Sequence, residues 1–273
     1  MRVVLVHGRA AQWEIPELMQ RDWESALRYG LERVGSTIPR KDIDVRYAFY
    51  GDLWRPDFKQ PLPRIEGAPR RAQEFGLPGV SDISLWFDEH VGVGGALIDY
   101  LLRDLDDYYS DPEVREGTNA RLIEQLAGLK ANERAIVIGF SMGTLVAYDS
   151  LRADPELPVA ALLTIGSPLA MPSFVKRITA TAPPGMDPPT PFPSQLKMWV
   201  NVWTRDDPGT AGHVQMASRY APDSPDAPHV QDLETWGRPT GPNPAGAHNA
   251  MDYLSSRVLA TALDGALRML QAG

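Results

Sequence analysis

The stretch Ala135-Ile136-Val137-Ile138-Gly139-Phe140-Ser141-Met142-Gly143, running on into Thr144-Leu145-Val146-Ala147-Tyr148, decides the fold. Ala135 to Ile138 is an unbroken apolar run, as expected of a strand covered on both faces. After Ser141, Leu145, Val146, Tyr148 and Leu151 recur at helical spacing. A G-x-S-x-G pattern between strand and helix is a nucleophile elbow, a sharp turn that forces the serine into a strained backbone conformation. Gly139 and Gly143 suit it because a side chain at either position would collide with the neighbouring strand or helix. The helix N-terminus then faces Ser141 with free N–H groups that stabilise negative charge.

Outward from this point, apolar runs alternate with helical patterns, the rhythm of a mostly parallel sheet between two helical layers. Val3-Val4-Leu5-Val6 reads as the first strand and Ile43 to Tyr50 as the second. Ala135 to Ile138 is the third, Val159 to Ile165 the fourth and Lys197 to Trp203 the fifth. Pro16 suits the first turn of a helix whose Trp23, Leu27, Leu31 and Val34 share a face and which Gly35 closes. Ala250 to Leu270 reads as a final amphipathic helix through Leu254, Val258, Leu259, Ala262 and Leu263.

A connection of about eighty residues separates strands two and three, far longer than the usual link. Its first part, Leu53 to Gly79, is rich in Pro, Gly and Arg, and its second carries a helical face through Leu97, Tyr100, Leu101, Leu105 and Tyr108. The expectation is one domain over residues 1–273, with a cap-like insertion at about 53–118 and irregular cap-like loops at about 180–194 and 219–247. Long loops of this kind usually carry function or cover a site.

Net charge excludes one class of partner. At −8, the chain offers no basic face for phosphate neutralisation, so no nucleic-acid partner is expected. The absence of cysteine excludes disulfides, a thiol nucleophile and thiolate metal sites. The apolar run before His7 is too short for a signal h-region, and no stretch approaches the ~20 apolar residues of a transmembrane span. The expectation is a cytoplasmic protein.

Serine is a weak nucleophile near neutral pH and needs a base within hydrogen-bond reach, itself oriented by an acid. In this arrangement the chain order is Ser, then Asp or Glu, then His. His213, His229 and His248 follow Ser141. His248 is favoured because it lies on a loop just before the last helix, whereas His229 sits in a Pro-rich stretch and His213 close to the acid. For the acid, strand five runs into Thr204-Arg205-Asp206-Asp207-Pro208-Gly209. A carboxylate just past a strand's C-terminal end is where a ligand-facing residue belongs in an open α/β sheet. Asp207 is preferred to Asp206 because Pro208 holds it extended. An oxyanion needs two donors, and the candidates are the N–H groups of Met142 and of Arg9, with Gly8 letting the backbone approach. His7 reads as a packed, hydrogen-bonded residue rather than a proton carrier.

The combination of Val6-His7-Gly8, Gly139 to Gly143, Thr164-Ile165-Gly166-Ser167-Pro168, Trp199 to Trp203 with Asp207-Pro208, and His248 to Tyr253 resembles the lipase- and esterase-related α/β hydrolases. It is similar in particular to bacterial members whose acid lies in an Asn…Asp-Pro stretch and whose base lies in a His…Tyr stretch. The likeness spans Val3 to Leu254, leaves the insertion unmatched, and supports Asp207 and His248. It implies a three-layer α/β-hydrolase sandwich lacking the usual first strands. The activity it implies is a serine hydrolase that acts on an ester, lipid or acyl esters included, and needs no cofactor or metal. Phe140 stands where histidine is more frequent, and Gly209 where valine is. An amidase, peptidase or acyltransferase uses the same triad, and a non-catalytic binding protein can keep the scaffold.

Other features carry less. Gly92-Val93-Gly94-Gly95 follows a helical pattern and lacks the third glycine of a dinucleotide fingerprint. Ser167 reads as a turn or pocket-lining residue, and Asp104, Asp106 and Asp107 as a solvated helix face. No histidine pair has metal-ligand spacing. Trp199 and Trp203, four apart on one strand face, read as core.

Overall fold

A computed structural model describes residues 1–8, 14–54, 108–181, 191–205, 207, 210, 215–220, 227–236 and 248–272. The insertion between 55 and 107, with its helical face up to Leu105, lies outside the described residues. So do the glycines at 92–95, the aspartates at 104–107 and the proline-rich residues 182–190.

Among the described residues, six strands form one sheet: β1 (Arg2–Val6), β2 (Asp44–Ala48), β3 (Ala135–Phe140), β4 (Val159–Ile165), β5 (Met198–Trp203) and β6 (Val230–Glu234). Their order is β2-β1-β3-β4-β5-β6, and every pairing is parallel. All strand C-termini therefore share one edge, where ligands of open parallel sheets gather.

Side-chain alternation divides the core in two. Val4, Val6 and Val137 face one layer, built by α2 (Pro112–Leu126) and α3 (Met142–Ala153). Val3, Leu5, Ile136 and Ile138 face the other, built by α1 (Pro16–Arg33) and α6 (Arg257–Ala272) with the short α5 (Ala250–Leu254). The sheet thus lies between two helical layers, and each fully buried Leu, Ile or Val contributes roughly 1.5–3 kcal/mol. One further helix, α4 (Pro172–Ala180), follows β4.

Helix α1 follows its sequence pattern: Pro16 opens it, Trp23, Ala26, Leu27 and Leu31 are buried, and Gly35 closes it at φ +69°. Three expectations need correction. Residues 112–118 belong not to a cap but to α2, whose Thr118, Leu122 and Leu126 are buried against the sheet layer. The loop expected over 219–247 contains β6, an edge strand in which Val230 alone is buried, so it shows little apolar pattern. The final helix is two helices. It breaks after Leu254, and Ser256 Oγ accepts the Leu259 N–H at 3.1 Å to restart it. Trp199 is fully buried as expected, whereas Trp203, at the end of β5, is only half-buried. No helix among the described residues is long and apolar enough to cross a membrane.

Candidate active site

Ser141 follows the last residue of β3 and is the N-cap of α3, at φ 52° and ψ −122°. Among the described residues no other non-glycine residue has positive φ. Such strain persists only where the surroundings over-determine it, and it clusters at functional sites. Here the surroundings are explicit. The Ser141 N–H continues the β3–β4 ladder to Ile165 O at 3.0 Å. A Cβ on Gly143 would land on the carbonyls of Val6 and His7, and one on Gly139 would come within 2.7 Å of Gly143 O. At Gly8 it would lie 3.0 Å from Ser141 Cβ. Strand β1 and helix α3 meet only because these positions lack side chains.

The structure brings together three of the residues singled out in the sequence. His248 Nε2 lies 2.9 Å from Ser141 Oγ, and His248 Nδ1 lies 2.8 and 3.0 Å from the two Asp207 oxygens. Asp207 is 1% exposed, on the turn that leaves β5, while the His248 side chain keeps 26% of its surface open. With Nδ1–H donated to a carboxylate, the imidazole presents its Nε2 lone pair to the serine hydroxyl. Burial opposes charging of His248, but the Asp207 charge and hydrogen bond outweigh it, so its pKa is raised above 6.5. The Phe140 ring sits 4.7 Å from the His248 ring and closes its inner side.

Met142 is the first residue of α3, so no carbonyl of that helix reaches its N–H. Arg9, Asp206, Pro208, Gly209 and His213 lie outside the described residues. His229 is exposed and immediately precedes β6, at the opposite sheet edge from Ser141. His7 is buried, accepts the Tyr50 N–H on Nε2 at 3.0 Å and stacks on the Tyr50 ring at 3.8 Å. Burial lowers its pKa to about 4, so it is neutral near pH 7.

Three contacts escaped the sequence reading. Tyr253 donates its hydroxyl to Asp207 Oδ2 at 2.6 Å. Gly166, at φ +54°, passes so close that a Cβ would sit 3.1 Å from the same oxygen. Thr144 donates to the Ser141 carbonyl at 2.6 Å. The His…Tyr spacing signalled the first, the three-residue spacing of Ser141 and Thr144 could have signalled the third, and nothing in the sequence signalled Gly166. Ser167 is a buried turn residue beside Thr144.

Among the described residues no group of three or more His, Asp or Glu side chains is placed to hold a metal ion. A depression of about 590 Å³ lined by Arg2, Asp44, Arg134 and Lys197 opens at the strand N-termini, the wrong edge to serve Ser141. No family model matches this chain, and no curated protein matches it.

Proposed function

We propose that this chain is a serine hydrolase of the α/β-hydrolase superfamily, related to lipases and esterases, that cleaves an ester through an acyl-enzyme. The observation that carries the reading is the hydrogen-bonded series from Ser141 Oγ through both nitrogens of His248 to a buried Asp207. Serine and base are within reach, and the base is oriented by an acid, as nucleophilic catalysis requires.

In this reading Ser141 Oγ attacks the ester carbonyl carbon and its proton passes to His248 Nε2. The carbonyl π pair moves onto oxygen, where the Met142 N–H and the α3 N-terminus hold it, with the Arg9 N–H as second donor. Collapse expels the alkoxide, which leaves as alcohol with the proton from His248. Water then attacks the acyl-enzyme in the same manner, giving the acid and regenerating Ser141. Asp207 keeps Nδ1 protonated and stabilises the imidazolium between the transfers. No other reactant is needed. The substrate class is a small-molecule or lipid-like ester, favoured by the long proline-rich connections in the sequence.

A series of p-nitrophenyl esters from acetate to decanoate tests the proposal. Wild-type protein is expected to turn over at least the short members, and Ser141→Ala to lose about a thousandfold or more. Undiminished turnover by Ser141→Ala would contradict the assignment, and a flat chain-length response would argue against a lipid-like acyl group.

A further inference from the structure

The peptide joining Ser141 to Met142 is one rigid plane with the Ser141 carbonyl at one end and the Met142 N–H at the other. Whatever holds the carbonyl aims the N–H. The carbonyl accepts two bonds, both from Thr144: the hydroxyl at 2.6 Å and the backbone N–H at 3.0 Å. Thr144 is fully buried, so water has no access to replace its hydroxyl.

The direction of the remaining bonds follows from proton counting. Thr144 has one hydroxyl hydrogen and spends it on the carbonyl, so its 2.8 Å contact with Ser167 Oγ is donated by Ser167. Ser167, itself buried, accepts the Leu169 N–H at 3.3 Å. Leu169 N–H, Ser167 O–H and Thr144 O–H thus form a one-way series ending on the Ser141 carbonyl, and each acceptor role polarises the next donor. Threonine often returns a bond to a carbonyl three residues back. Here that carbonyl belongs to the residue at positive φ, and the N–H that follows it opens α3, where no helix carbonyl takes it up.

We infer that Thr144, relayed by Ser167, is a positioning residue that orients and polarises the Met142 N–H as oxyanion donor; this rests on the reading of Ser141 as nucleophile. The substrate ground state does not use that N–H fully and the tetrahedral state does. Loss of the hydroxyl therefore falls on kcat rather than KM.

The test compares wild type, Thr144→Ser, Thr144→Val and Ser167→Ala. It reads kcat and KM on p-nitrophenyl butyrate, and the inhibition constant of a trifluoromethyl ketone whose hemiketal oxygen needs the same donor. Removing a donor outright costs about 100- to 1,000-fold, so Thr144→Val, which misaims one, is expected to lower kcat about 10- to 100-fold with KM within about twofold. Ketone affinity should weaken by a similar factor. Thr144→Ser, which keeps the hydroxyl, should stay within about threefold of wild type, and Ser167→Ala should fall between. A folded Thr144→Val with wild-type kcat, or a Thr144→Ser as impaired as Thr144→Val, overturns the inference. If Thr144→Val does not fold, Ser167→Ala decides, and unchanged ketone affinity there overturns it as well. Wild-type protein that turns over no ester and binds no ketone defeats the hydrolase reading and this inference together. An active wild type beside an unimpaired Thr144→Val defeats the inference alone.

Discussion

The Tyr253 hydroxyl donates to Oδ2 of Asp207 at 2.6 Å, on a carboxylate whose oxygens also face His248 Nδ1 at 2.8 and 3.0 Å. The two contacts divide the work: the phenol, nearly buried on α5, fixes the carboxylate, and the fixed carboxylate fixes the imidazole. Tyr253→Phe removes one bond to a buried charge while keeping the ring. It is expected to cost about 1.5–3 kcal/mol of stability and to lower kcat roughly tenfold through a less well-held His248. Denaturant unfolding and steady-state kinetics on the same preparation check both. Wild-type values for each would mean the bond does not hold the acid.

Close backbone approach at the elbow makes a second prediction. Gly143→Ala places a methyl on the carbonyls of Val6, which ends an interior strand of the sheet, and of His7, which follows it, and neither can readily move aside. The variant is expected to lose at least about 3 kcal/mol or fail to fold. Gly265, within α6, has nothing within 4 Å of its would-be Cβ. Gly265→Ala should instead stabilise by about 0.5–1 kcal/mol, because alanine favours a helix interior. Urea midpoints of the two variants should therefore move in opposite directions.

The raised pKa of His248 fixes the sign of the activity profile. A base must be neutral to take the serine proton, so kcat/KM should rise with pH along a limb centred above 6.5. Asp207→Asn removes the charge that raises it, so any residual activity should show that limb displaced to lower pH. A wild-type limb below 6.5 would contradict the geometry described.

His7 works oppositely, on stability. Its pKa is lowered from 6.5 to about 4, so between these values the unfolded chain binds a proton that the folded one refuses. Stability should thus fall as pH drops through this window, by on the order of 3 kcal/mol in all from this group. Unfolding free energy measured from pH 7 to pH 4 should show a shallower slope in His7→Phe than in wild type, although near pH 7 that variant is less stable for want of an acceptor for the Tyr50 N–H.

The sequence spoke clearly where local chemistry and tertiary need coincide. Gly139 and Gly143 are glycines because two backbones touch there, and the apolar runs of β1, β3 and β4 are continuous because both faces are covered. The Ser141, Asp207 and His248 grouping was legible for the same reason: each follows a recognisable strand or precedes a helix on one sheet edge. Strand β6 was not legible, since Gln231, Leu233 and Glu234 are exposed at the sheet's edge and satisfy no alternating pattern. Helix α2 was missed because Thr118, Leu122 and Leu126 make a thin apolar stripe. The break between α5 and α6 hides within a continuous apolar periodicity, announced only by Ser255 and Ser256. The support from Gly166 depends on atoms brought together across the sheet, which spacing along a chain does not encode, whereas Thr144 reaches back three residues within its own turn.

The most direct test of the central claim is intact-mass and peptide analysis after exposure to a fluorophosphonate. A single adduct is expected, on the peptide carrying Ser141, absent from Ser141→Ala and much slower to form in His248→Ala. An adduct that persists in Ser141→Ala, or a wild-type protein left unlabelled at Ser141, would contradict the account.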